Sequence, residues 1–255
     1  MKYKIGDTVT RISYNHDIVF SIIDIKNDGC YLKGLNTRLL ADAQTSDLKL
    51  CNLADEIEEE EKFNERIKLN VNLNRNDYFY LPGKILHVDG DIDYLNRCID
   101  YYKQNNINAV GINESEETLS SNIKKLLEEY NPNIVIVTGH DAYYKKNGSY
   151  KNSLNFINAV KEARKFESSH DKLIIIAGAC QSNYEELIKA GANFASSPKR
   201  INIHALDPAI IATRISLLEA NQDIDLKDIL EKTKYGSNGI GGIRTKGTMH
   251  VGYPR

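Results

Sequence analysis

The chain has 255 residues, 41% hydrophobic and 27% charged, enough apolar material for one large domain with a full core plus a small one. Its 33 basic and 35 acidic side chains are interspersed and leave a formal charge of −2, so no general attraction to nucleic acid is expected. No apolar run approaches the roughly 20 residues of a spanning helix, and the opening Met1-Lys2-Tyr3-Lys4-Ile5-Gly6-Asp7 lacks a signal-peptide segment, so a cytoplasmic protein with no membrane partner is expected.

In chain order, residues 1 to 50 read as short strands: Thr8 to Ile12, Ile18 to Ile25, Cys30 to Gly34 and a last piece from Arg38 to Ala41. Turn signals stand at Asn15-His16-Asp17 and Asn27-Asp28-Gly29. The run suits a small SH3-like or KOW-like β-barrel over 1–52, entered at Ile5-Gly6-Asp7-Thr8-Val9. No strand interleaves aromatic and basic residues as a base-stacking platform needs, so the barrel reads as a structural or docking module. Residues 53–83 read as a join. The acidic run from Asp55 to Lys62 sits in a pattern that helix formers support, the Asn-rich stretch from Asn70 to Asn76 follows, and Leu81-Pro82-Gly83 is a turn.

Over 84–255 strand and helix patterns alternate. Ile85 to Asp89 is a strand, with Ile92, Leu95, Ile99 and Tyr102 at helical spacing after it. Ile107 to Ile112 is a second strand, then Leu119, Ile123, Leu126 and Leu127 share a helical face, with Ser115 and Thr118 as caps. A third strand runs to His140, followed by a helix marked by Leu154, Ile157, Val160 and Ala163. A fourth runs to Cys180, a helix carries Tyr184, Leu187 and Ile188, and Ala190-Gly191-Ala192-Asn193 turns into a fifth strand. Ile211, Ile215 and Leu218 mark a further helix and Ile229 and Leu230 a short one. Repeated units of this size imply an α/β fold, a mostly parallel sheet flanked by helices and joined by right-handed crossovers. From Tyr235 to Arg255 six glycines, at 236, 239, 241, 242, 247 and 252, match no phosphate-loop motif and read as an extended loop or hairpin.

Two stretches carry the chemistry: Ile134-Val135-Ile136-Val137-Thr138-Gly139-His140-Asp141 and Leu173-Ile174-Ile175-Ile176-Ala177-Gly178-Ala179-Cys180. Each is a β-branched run that reaches a Gly and then one reactive side chain. Loops at the carboxyl ends of neighbouring parallel strands converge on one crevice, which lets a His and a Cys 40 positions apart act as base and nucleophile. A thiol attacks as thiolate, so it needs an imidazole or a helix N-terminus beside it, and Cys180 has the prospect of both. Backbone N–H groups at that corner can hold an oxyanion, with Gly178 leaving room for substrate. His140 would take the thiol proton or protonate the leaving amine. The remaining cysteines, Cys30, Cys51 and Cys98, have no C-x-x-C spacing and read as structural thiols. His87 reads as buried structure. His204, His250, Asp207 and Glu185 form no metal spacing, so neither metal nor cofactor is expected.

A hydrophobic block before Gly-His and a second before Ala-Cys resembles the caspase, gingipain and clostripain superfamily of cysteine peptidases, which implies a caspase-like sheet. In that superfamily Gly follows the His; here Asp141 follows it, a departure at the backbone that would complete the oxyanion hole with Cys180. Over nearly the whole length the chain resembles the YabG sporulation peptidase family. The resemblance is carried by Ile5-Gly6-Asp7 to Tyr14, Leu86-His87-Val88-Asp89-Gly90-Asp91, Thr138-Gly139-His140-Asp141, Ala177-Gly178-Ala179-Cys180-Gln181-Ser182, Ala195-Ser196-Ser197-Pro198 and Gly239 to Gly247. It implies a peptidase of the sporulating mother cell acting on spore coat and cortex-associated proteins, with cleavage after Arg and self-cleavage.

An Arg pocket needs a carboxylate, since guanidinium is read by paired acceptors. Asp91 and Asp141 stand at predicted strand ends; each is a candidate for that pocket, a helix N-cap, or a partner of His140. The rival class is a non-catalytic receiver-like or flavodoxin-like signalling or binding module, suggested by Val88-Asp89-Gly90-Asp91 and Lys189-Ala190-Gly191-Ala192. Such a module needs an acceptor Asp after the third strand and a Lys after the fifth, and gives the thiol no role.

Overall fold

The structure is a computed structural model that describes residues 3–26, 29–51, 54–68 and 77–254. Asn27 and Asp28 of the second expected turn and the Asn-rich stretch 70–76 lie outside them. The chain divides into two compact units, 1–68 and 69–255.

In the first unit, β1 (Thr8–Arg11), β2 (Phe20–Lys26), β3 (Gly29–Gly34), β4 (Leu40–Gln44) and β5 (Leu48–Leu50) form one sheet in the order β4-β3-β2-β1-β5, every pairing antiparallel. Period-two alternation buries Phe20 and Ile22 on β2 and Cys30 and Leu32 on β3, where they close a core with Tyr3, Val9 and Leu48. The register shifts between Ile22 and Asp24, a bulge that interrupts the alternation. Strand β5 has no strong pattern of its own and was not expected; β1 pairs it, with Val9 opposite Leu50. The acidic stretch folds as α1 (Ala54–Ile67), which buries Phe63 and Ile67, four positions apart on one face, and leaves Glu58, Glu59, Glu61 and Lys62 exposed. It groups with the first unit.

The second unit holds β6 (Phe79–Leu81), β7 (Ile85–Asp89), α2 (Ile92–Gln104), β8 (Ala109–Asn113), α3 (Glu116–Tyr130), β9 (Ile134–Thr138), β10 (Tyr143–Tyr144), β11 (Ser149–Tyr150), α4 (Ser153–Phe166), β12 (Ile174–Ala177), α5 (Tyr184–Ala190), β13 (Phe194–Ser196), α6 (Asp207–Ser216), α7 (Leu226–Glu231), β14 (Ile240–Gly242) and β15 (His250–Gly252). Six strands make the main sheet in the order β14-β13-β12-β9-β7-β8, parallel except for β14. Strands β7, β9 and β12 are buried on both faces, which is why they read as continuous apolar runs. Leu86 and Val88 of β7, Val135 and Val137 of β9 and Ile175 of β12 face Leu119, Ile123 and Leu127 of α3, Phe156 and Val160 of α4 and Leu187 of α5. The alternate residues face the other layer, where α2 and α6 pack.

The glycine-rich tail differs from the loop or hairpin expected of it. Strand β14 is an edge of the main sheet with Ile240 opposite Ser196, and β15 pairs with β6 in a separate ribbon. Glycine runs carry no alternation signal, so these strands are defined by what they fit against: Gly241 lies under the Tyr184 ring and Gly242 against Phe194. Among the described residues no helix is long and apolar enough to cross a membrane.

Candidate active site

Strands β9 and β12 are neighbours, with Val137 opposite Ala177. His140 and Cys180 each stand three residues beyond that pair, at matched heights on the carboxyl edge of the sheet. The two strand ends are shorter than expected, at Thr138 and Ala177, so both residues sit in loops.

Every polar group of His140 except one is held. Its N–H donates to Glu116 Oε1 at 2.7 Å, its carbonyl accepts from Asn152 Nδ2 at 2.8 Å, and its Nε2 is 2.9 Å from Asp91 Oδ2. Gly139 and Gly90 both abut the Glu116 carboxyl group, where a Cβ would collide. The Tyr94 ring meets the imidazole edge-on at a centroid distance of 5.8 Å. A carboxylate only accepts, so Nε2 carries the hydrogen and the lone pair of the neutral ring falls on Nδ1. Nδ1 is buried and makes no hydrogen bond to any described residue.

Asp91 fills two of the roles expected of it. Its Oδ1 caps α2 by accepting from Asp93 N at 2.9 Å and Tyr94 N at 3.3 Å, and its Oδ2 holds His140. Its side chain keeps 12% exposure. Asp141 is 4% exposed and accepts four hydrogen bonds, from Ala142 N (2.8 Å) and Asn152 N (2.7 Å) at Oδ1 and from Ser153 Oγ (2.5 Å) and Ser182 Oγ (2.9 Å) at Oδ2. It ties the loop after β9 to the start of α4 and to the loop that follows Cys180.

Cys180 is fully buried. Its Sγ accepts the Ile203 N–H at 3.3 Å and lies 3.8 Å from Ile203 O; it makes no hydrogen bond to His140. The expected helix N-terminus is displaced: α5 opens at Tyr184 with Asn183 as its cap, so the macrodipole does not end on the thiol. The Ile203 amide is the hydrogen-bond donor that meets Sγ. Gln181 continues the loop at φ 59°, donating its N–H to Ile201 O and Ser197 Oγ.

His87 is buried inside β7, as expected. His204 and Asp207 are buried in local hydrogen bonds at the head of α6, Glu185 pairs with Arg200, and His250 is exposed on β15. Among the described residues no three His, Cys, Asp or Glu side chains gather as a metal site. Glu116, Asn152, Tyr94 and Ile203 escaped the sequence reading because each reaches the site from a different element and bears no local motif.

A family profile described as YabG peptidase U57 matches residues 4–254. The sporulation-specific protease YabG of Bacillus subtilis strain 168 is 39% identical over 286 aligned positions, covering 100% of this chain and 99% of its own. Among solved structures, a GDP-L-fucose synthetase from Naegleria fowleri aligns at 15% identity over 52% of this chain and 41% of its own, with a TM-score of 0.27, too low to support a fold argument.

Proposed function

Because the chain belongs to the YabG peptidase family, we propose that it is a sporulation-specific cysteine endopeptidase with Cys180 as nucleophile and His140 as general base. The observation that carries the catalytic pair is the state of His140: Asp91 holds Nε2, and Nδ1 is buried without a hydrogen-bond partner among the described residues, in the loop after β9, while Cys180 stands in the loop after the neighbouring strand β12. In this reading Nδ1 takes the thiol proton, the thiolate attacks the scissile carbonyl, and the imidazolium returns the proton to the leaving amine. Water then hydrolyses the thioester. The backbone N–H groups of Cys180 and Asp141 are the proposed oxyanion donors; in support, the Asp141 N–H makes no hydrogen bond to a described residue. Attack on a peptide requires the Ile203 segment to withdraw from Sγ, since the thiol is fully covered.

The finer readings rest on the family resemblance and, for the first unit, on its strand pattern. They comprise a caspase-like second unit, an SH3-like first unit, action on spore coat and cortex-associated proteins in the mother-cell cytoplasm, cleavage after Arg, and self-cleavage. Asp91 and Asp141 are the proposed acceptors of a substrate guanidinium. Family membership favours a peptidase over a signalling module.

The test is to incubate wild type and Cys180→Ala with matched Arg and Lys peptides and to follow fragments and self-shortening of the chain. Cutting by wild type alone is expected, and equal cutting by the Ala variant removes Cys180 as nucleophile. In the same assay, an Arg preference that is unchanged in both Asp91→Ala and Asp141→Ala removes the pocket assignment.

A further inference from the structure

Beneath the candidate pair, polar side chains run through an otherwise apolar layer. His87 on β7 is fully buried, with Nδ1 2.9 Å from Tyr102 Oη and Nε2 3.0 Å from Thr138 Oγ1. Thr138, the last residue of β9, donates its hydroxyl to Asp89 Oδ2 at 2.8 Å. Asp89, the last residue of β7 and the register partner of Thr138, is fully buried, and its Oδ1 accepts the Asp91 N–H at 2.9 Å. The Gly90 N–H closes the loop onto Thr138 O at 3.0 Å.

With Asp89 as carboxylate, Thr138 gives it its one hydroxyl hydrogen, so the Thr138 oxygen accepts from His87 Nε2–H, and Nε2 also lies 3.5 Å from Asp89 Oδ2. In the neutral imidazole Nδ1 then accepts from Tyr102 O–H. All these donors point toward the Asp89 carboxylate, and a buried carboxylate is tolerated only when so satisfied. An apolar strand layer has no packing need for a His, a Thr and an Asp in one line; simpler aliphatic residues would fill it without the desolvation cost. What the line touches at its end is the backbone of Asp91, whose side chain holds His140 Nε2, while Thr138 sits two residues before His140 on the neighbouring strand.

We propose that His87, Thr138 and Asp89 are positioning residues for the peptidase reaction, locking the carboxyl ends of β7 and β9 so that Asp91 fixes the His140 ring. This rests on the assignment of His140 as base. In this role the three act through Asp91, setting the direction in which Nδ1 points. A small rotation of that ring is enough to reduce turnover by about 10- to 100-fold.

The test compares Thr138→Val, Thr138→Ser and Asp89→Asn with wild type and Cys180→Ala on one Arg-containing peptide, measuring kcat and KM separately and folding by circular dichroism. Thr138→Val keeps the shape and loses the hydroxyl. Its kcat is expected to fall about 10- to 100-fold with KM little changed, Thr138→Ser to restore it, and Asp89→Asn to fall like the Val variant. A folded Thr138→Val with wild-type kcat overturns the proposal, as does a Ser variant as poor as Val, which would show that the methyl packing matters and not the hydroxyl. Should Val not fold, the Asn variant decides in the same terms. Activity in Cys180→Ala refutes the catalytic assignment itself, whereas an inactive Cys180→Ala beside a fully active Thr138→Val refutes the positioning role alone.

Discussion

Arg164, near the end of α4, donates to the carbonyls of Gly191, Glu167, Ser169 and Leu173 and to Asn193 Oδ1, pinning the loops that lead into β12 and β13. Burial pushes its guanidinium down to about 10, against the opposing charge of Glu167. Beside it the His170 imidazole is pushed below its ordinary value, first by burial and then by the Arg164 charge. The folded state therefore prefers neutral His170. Above the ordinary value of about 6.5 both states are neutral and the group contributes nothing; as pH falls through that value the unfolded chain protonates first and stability drops, levelling off below the depressed folded value. Thermal melts from pH 8 to pH 5 should show that loss in wild type and a shallower one in His170→Gln; identical slopes would contradict it. The same residue-scale logic separates what was legible at the candidate active site. Cys180 and His140 announced themselves through flanking strand patterns, whereas the link of Asp91 to His140 across 49 positions has no local signature.

Helix faces were readable where packing is regular. Leu119, Ile123 and Leu127 are buried on α3 as their spacing predicted. Ile92 and Leu154, expected on buried faces, are 49% and 67% exposed; both stand in a first turn, ahead of the packed stretch of their helix. The tail is the element that spacing could not describe. At Gly247 the chain passes so close to the carbonyls of Leu218 and Glu219 that a Cβ would collide with backbone, while Gly247 N bonds to Gln222 O and Met249 N to Leu218 O. Backbone cannot yield as a side-chain tip can, so Gly247→Ala should lower stability by about 1–3 kcal/mol, read as a reduced urea midpoint. An unchanged midpoint would mean the tail contributes no stability there.

At the scale of the molecule, each unit has its own core: Val9, Phe20, Ile22 and Leu32 in the first, and the β7, β9 and β12 residues with α3, α4 and α5 in the second. Separate cores unfold as separate cooperative units. Calorimetry of Cys180→Ala, chosen because self-cleavage through Cys180 is proposed, should resolve two transitions, and one two-state peak for the whole chain would refute independent folding. The sequence by itself determined the alternating α/β order, the strand runs, the parallel sheet and the two residues that stand out chemically, because those depend on periodicities of two to four positions. Tertiary structure alone decided that β9 lies beside β12, that Asp91 reaches His140, that Ile203 covers Cys180 and that the glycine tail supplies an edge strand. Those contacts follow from strand order and loop path, and a hydrogen bond between distant residues leaves no periodic trace in the chain that makes it.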